Sequence, residues 1–167
     1  MTRSCARLAR RGFTLLELVL VLLILSILSV LLALQVRPSI GSATFGYHAQ
    51  RLAGDLLHAR ALAMSRGQTL KFLAQSGNYC LVVPLATSCS AAVKDPGHGG
   101  GTFHVALESG FVFAQPVELG FDLLGRPLSG ATLLSAPVVF ELQQGGGSVA
   151  SVTVAPLTGA PSVAVLQ

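Results

Sequence analysis

A single carboxylate, Glu17, stands inside a long apolar run near the start of the chain. The run covers residues 13–34 and is interrupted only by Thr14, Glu17, Ser26 and Ser29. In lipid an ionised glutamate costs roughly 2.5–3.5 kcal/mol on insertion scales, so Glu17 needs a partner or a task. The chemistry open to it is charge pairing, because a cation supplied by another chain offsets part of that cost. Cys80 and Cys89 form the second candidate pair, with eight residues between them. Oxidised, they would close a short loop as a disulfide; reduced, they would be two free thiols. His98 and His104 straddle a glycine run, but two histidines without a cysteine or carboxylate set make a weak metal site. Glu108, Glu118, Asp122 and Glu141 read as solvent-facing strand or turn positions, and Tyr47 and Tyr79 as packing residues. A paired-carboxylate hydrolase would need two of those acids in one cleft, and their spacing gives no sign of it. The chain lacks Gly-x-Ser-x-Gly, His-Glu-x-x-His, Walker A and EF-hand patterns. No enzyme activity, cofactor or metal is therefore expected.

The elements that must position Glu17 begin with the apolar run. At about 1.5 Å per residue it is long enough to cross a bilayer core as a helix. Arg3, Arg7, Arg10 and Arg11 precede it. The whole chain of 167 residues has 11 basic and 7 acidic side chains, a formal charge of +4; without those four arginines the balance is 7 to 7. The basic excess is thus an orientation signal rather than a nucleic-acid footprint, and it puts the leader in the cytoplasm with the rest across the membrane. An ordinary secretory signal has a shorter apolar region followed by a small-residue cleavage site. Here the small residue, Gly12, comes before the run, so cleavage there leaves the apolar helix on the mature protein. The alternative is an uncleaved signal anchor on an unrelated periplasmic domain, which would not require Glu17.

Arg37-Pro38 is expected to end or kink the first helix, with 39–44 as a break. A second helical pattern runs over about 45–66, with Phe45, Ala49, Leu52, Leu56, Ala59 and Ala63 on one face. His48, Arg51, Asp55 and His58 form a polar stripe on another face, read as solvated helix surface in preference to a contact face for another subunit. Arg66-Gly67 is a stop signal. The remainder reads as strands over 68–74, 79–83, 102–108, 117–122, 138–143, 149–154 and 162–166, punctuated by Gly and Pro clusters. The expected fold class is α+β: a long N-terminal helix, membrane anchor plus amphipathic half, packed on a C-terminal antiparallel β-sheet.

The octapeptide Arg11-Gly12-Phe13-Thr14-Leu15-Leu16-Glu17-Leu18 resembles the type III signal of type IV pilins and type II secretion pseudopilins. That resemblance implies a pilin-like fold, cleavage by prepilin peptidase between Gly12 and Phe13, and N-methylation of Phe13. It implies assembly through Glu17, which would pair with the terminal amine of a neighbouring subunit. The implied organisation is a cleaved leader over 1–12, a transmembrane and assembly helix over 13–37, an amphipathic helix over 38–66 and a β-rich periplasmic domain over 67–167. Three further stretches resemble minor pilins more loosely: 56–71 with its Ala59-Arg60-Ala61-Leu62-Ala63 core, 121–127, and 155–159. That group includes pseudopilin H of type II secretion, the FimT and FimU minor pilins, and the minor pilins of mannose-sensitive haemagglutinin pili. The paired cysteines and the Gly-Arg-Pro turn are most similar to the last branch.

The leading expectation is a single-pass protein of the bacterial inner membrane with a periplasmic C-terminal domain. It would initiate or cap a type IV pilus or a type II secretion pseudopilus, with other pilin or pseudopilin subunits, prepilin peptidase and membrane lipid as partners. A DNA- or surface-binding minor pilin is the alternative. Binding to phosphates needs clustered cations, and after Arg66 the chain has only Lys71, Lys94 and Arg126, so nucleic acid is not expected as a partner. A signal-anchored periplasmic enzyme is the third reading, and it predicts a retained leader.

Overall fold

In a computed structural model, residues 14–166 are described, with the backbone alone for 30–43 and 98. Two compact units divide at Gly41 and Ser42. Helix α1 spans Leu15–Arg66, 52 residues, and neither stops at Pro38 nor breaks over 39–44. This corrects the expectation of two helical segments. A proline forfeits one backbone donor and crowds one preceding turn, and cooperative propagation from the leucine- and alanine-rich stretches on both sides carries the helix through. The stop at Arg66-Gly67 is as read. Gly67 adopts φ 61°, its N–H donates to Met64 O at 3.2 Å, and Gln68 N–H donates to Ala63 O at 3.2 Å. These are the two bonds of a Schellman C-cap.

Ten strands follow: β1 Leu70–Gln75, β2 Asn78–Val82, β3 His104–Ala106, β4 Phe111–Phe113, β5 Val117–Phe121, β6 Pro127–Ser129, β7 Thr132–Leu133, β8 Val138–Gln144, β9 Gly147–Val154 and β10 Pro161–Val165. They form two antiparallel sheets, ordered β3-β2-β1-β5-β6-β7 and β10-β9-β8-β4. The fold class is α+β, as expected, with two sheets where the strand pattern suggested one. The short strands β4, β6 and β7 went unread because two or three residues carry too little alternation to be seen.

Register explains the core. Phe72 lies opposite Leu81 on β2 and opposite Leu119 on β5, so three large side chains line up across one face. From the second sheet come Phe113, Phe140, Leu142, Ala150, Val152 and Val154, and from α1 come Ala49, Leu52, Leu56, Ala59 and Ala63, all in one buried cluster. Phe72 packs edge-on against Phe103 and Phe140, with ring centroids 6.2 and 5.8 Å away. The β8–β9 hairpin turns on Gly145 and Gly146, at φ 60° and 85°, a conformation that excludes most other residues.

Candidate functional site

The candidate site is the start of α1. Thr14 opens the helix: its Oγ1 accepts from Glu17 N–H at 3.2 Å, and its carbonyl accepts from Leu18 N–H at 3.2 Å. Thr14-Leu15-Leu16-Glu17 therefore has the spacing of a capping box, with the acid in the first turn, where the helix dipole favours it. Glu17 is exposed, and among the described residues no side chain pairs with its carboxylate.

Around Glu17 the helix is bare. Every large apolar side chain from Leu15 to Leu28 is exposed, from 42% at Val21 to 81% at Leu15. A helix apolar on all sides needs lipid or other helices as its solvent. Its two hydroxyls are satisfied internally: Ser26 donates to Leu23 O and Ser29 to Leu25 O, both at 2.7 Å. That internal bonding is what an environment without water requires. Among the described residues no helix stretch is long and apolar enough to cross a membrane. The apolar run in the sequence extends past the described side chains at both ends.

The cleavage and methylation residues, Gly12 and Phe13, lie outside the described residues. Cys80 and Cys89 are joined by a disulfide, with Cα atoms 5.6 Å apart. The loop it closes covers a second small core of Leu73, Cys80 and Val82, with Ala86, Cys89 and Ala92 packed on it.

The polar stripe of α1 is only partly solvated surface. His48 is buried at 4% exposure, its ring 4.3 Å from that of Phe111, with Nε2 3.3 Å from Glu108 Oε2. Asp55 accepts a 2.6 Å hydrogen bond from the Tyr79 hydroxyl. Burial first, and the Asp55 hydrogen bond second, push the Tyr79 hydroxyl well above the ordinary tyrosine range. His58 Nε2 lies 2.9 Å from the buried carboxylate of Asp95. Arg51 alone of the four is exposed. Two sheets pack on α1, so its buried arc is wider than its apolar stripe. His48 and Asp55 fall within that arc and His58 at its edge.

Asp122 is a further correction. Read as solvent-facing, it is 8% exposed. Its Oδ1 accepts from Leu124 N–H at 2.9 Å and Arg126 N–H at 2.8 Å, and its Oδ2 accepts from Arg126 Nε at 2.7 Å. Burial alone would raise this carboxyl, but the hydrogen bonds from Arg126 and Leu124 outweigh it and hold the group below the ordinary carboxylate range. Of the three cations after Arg66, Lys71 pairs with Glu118 at 3.3 Å and Arg126 with Asp122. His104 is exposed on β3, and among the described residues no group of three His, Cys, Asp or Glu could hold a metal ion.

Residues 56–71, 121–127 and 155–159 meet at one corner. A Cβ on Gly125 would come within 2.7 Å of Met64 Sδ and 3.0 Å of Arg60 Nε, and one on Gly159 within 3.4 Å of Phe121 and 3.5 Å of Pro127. No curated protein and no solved structure matches the chain. Residues 7–33, which include Gly12, Phe13 and Glu17, match the family model of the prokaryotic N-terminal methylation motif, a motif typical of type IV pilin-like proteins.

Proposed function

We propose that the chain is a minor pilin or pseudopilin: a non-catalytic subunit held in the bacterial inner membrane, its C-terminal domain in the periplasm, that initiates or caps a type IV pilus or a type II secretion pseudopilus. The observation that carries this reading is the methylation-motif match over residues 7–33. It coincides with a helix start whose apolar side chains are bare and whose one acid has no partner among the described residues. Cleavage after Gly12 would leave Phe13 as the new amino terminus, one residue before the Thr14 cap. That terminus would add a cation to the positive end of α1, and Glu17 of an adjoining subunit is the countercharge that stabilises it. Buried singly, each charge is costly; paired, they fix the axial register of one subunit on the next. Head-to-tail contacts of this kind do not close and so build an open helical filament.

Intact-mass measurement of the protein extracted from its membrane tests the processing. The expected species begins at Phe13 and carries one added methyl group, and a species retaining Met1 overturns the reading. Glu17→Ala is expected to leave membrane insertion intact and to lower co-purification of other pilin-like subunits severalfold. Undiminished co-purification would count against the pairing role.

A further inference from the structure

One peptide bond, far from the helix start in sequence, lies against an acid and a base of its own. Of the eight prolines in the chain, only Pro96 follows an aspartate. The nitrogen of the Asp95–Pro96 bond is a tertiary amide without a hydrogen. It is more basic than an ordinary peptide nitrogen and is more readily protonated as it departs. A carboxylate oxygen of Asp95 can close a small, unstrained ring on its own main-chain carbonyl carbon. Attack from within the same residue has a high effective concentration, and a carboxylate is an established nucleophile.

The fold holds that carboxylate over the bond. Asp95 is 1% exposed, and its N–H donates to Gly101 O at 2.8 Å. Its Oδ1 accepts from Gly97 N–H at 3.0 Å, so the side chain curls forward along Pro96. Its Oδ2 lies 2.9 Å from His58 Nε2. A Cβ on Gly97 would come within 3.2 Å of His58 Nε2 and 3.3 Å of Asp95 Oδ2. Imidazole and carboxylate therefore both press on the backbone just past the Asp95–Pro96 bond, where only a glycine leaves them room. Phe103 keeps the imidazole there by stacking, with ring centroids 5.9 Å apart and planes 14° from parallel. Access differs on the two sides of the bond. The acid is sealed, whereas the His58 side chain is 40% exposed and Pro96 faces solvent. The imidazole can thus exchange protons with water, and water can reach the broken bond.

We propose that the chain cuts itself between Asp95 and Pro96. A carboxylate oxygen of Asp95 adds to the Asp95 carbonyl carbon, and the C–N bond to Pro96 breaks. Protonated His58 gives its Nε2 proton to the departing Pro96 nitrogen, as a general acid. The products are a cyclic anhydride at Asp95 and a secondary amine at Pro96. Water then opens the anhydride to two carboxylates, returning one proton to His58 and one to solvent. The pieces stay together, because β1–β5 and β2–β3 pairings join residues from either side of the cut. None of these residues belongs to the helix start, so the reaction stands apart from the proposed assembly.

The test uses full-length protein purified in detergent with protease inhibitors, incubated at pH 6 and followed by intact mass under denaturing conditions. Two fragments are expected, meeting at Asp95 and Pro96, with masses that sum to the parent plus one water. They should form about a hundredfold faster than from the same protein unfolded in urea, the scale of general acid catalysis. Asp95→Asn should bring them below detection, and His58→Gln and Pro96→Ala should slow them at least severalfold. Pro96→Ala keeps both the carboxylate and the imidazole, and an unchanged urea midpoint shows that it is folded. A folded chain that stays whole overturns the proposal, as does one that breaks no faster than the unfolded chain. Fragments that persist in Asp95→Asn, or form undiminished in His58→Gln or Pro96→Ala, overturn it equally.

Discussion

Asp122 ends β5 and organises the four residues after it. Its carbonyl accepts from Gly125 N–H at 2.9 Å, and its carboxylate takes the three further bonds from Leu124 and Arg126. Asp122→Ala should destabilise the β-rich unit by roughly 2–3 kcal/mol, the scale of charge-assisted bonds lost at a buried acceptor; urea unfolding at neutral pH checks it. The sign of the pH effect follows from the lowered carboxyl. The stability it contributes is present above the ordinary carboxylate value of about 4 and is lost as pH falls through the lower folded value. Asp122→Asn should therefore flatten the acid limb of the stability profile relative to the parent protein. Asp at the first position of a turn with Gly at the fourth is a legible signal, present here as Asp122-Leu123-Leu124-Gly125. Charge points an acid at a strand end or turn to solvent, whereas its turn chemistry points it to the backbone. Glu17 shows the reverse: its isolation among apolar residues is plain in sequence, and its place in a capping box emerges only with the helix start.

At the scale of the element, α1 is held to both sheets by apolar packing and is also tied by two polar clips, Asp55 to Tyr79 and His58 to Asp95. The apolar stripe was legible from its 3.6-residue spacing. The clips were not, because their partners lie 24 and 37 residues away in sequence. Periodicity within one helix cannot report what a distant loop brings to it. The Asp122–Arg126 turn also rests on α1, at Gly125. That glycine has φ 76° and no room for a Cβ beside Met64 and Arg60. Gly125→Ala combines left-handed strain with a steric contact and should cost about 1–3 kcal/mol. Gly145→Ala, in open space at φ 60°, should show only the conformational part, about 1 kcal/mol. Equal losses in thermal unfolding would mean that the close approach at Gly125 carries no energy.

For the whole molecule, the sequence conveyed the α+β class and seven of the ten strand positions, while the division into two sheets stayed hidden. Alternation fixes which side chains face a core, but it does not fix which strands are neighbours. The disulfide follows the same logic. Two cysteines with eight residues between them could bridge or stay apart, and only the fold sets their Cα atoms 5.6 Å apart. Closing a loop of this length is worth roughly 2–3 kcal/mol in the chain-entropy picture, and the small core beneath it adds packing. Replacing both cysteines by serine should lower unfolding stability by at least that amount, measured by urea midpoint on the β-rich unit in the oxidised parent and in the variant. A midpoint unchanged within error would show that the loop stays seated without its bridge.

The loop that covers Leu73 and Val82 is closed by the Cys80–Cys89 disulfide. If the chain is exported as proposed, an unoxidised subunit would expose the back of β2 to water and the loop above it to proteases. Maturation would then be a race between thiol oxidation and degradation, and the supply of competent subunits would track the redox condition of the compartment they enter.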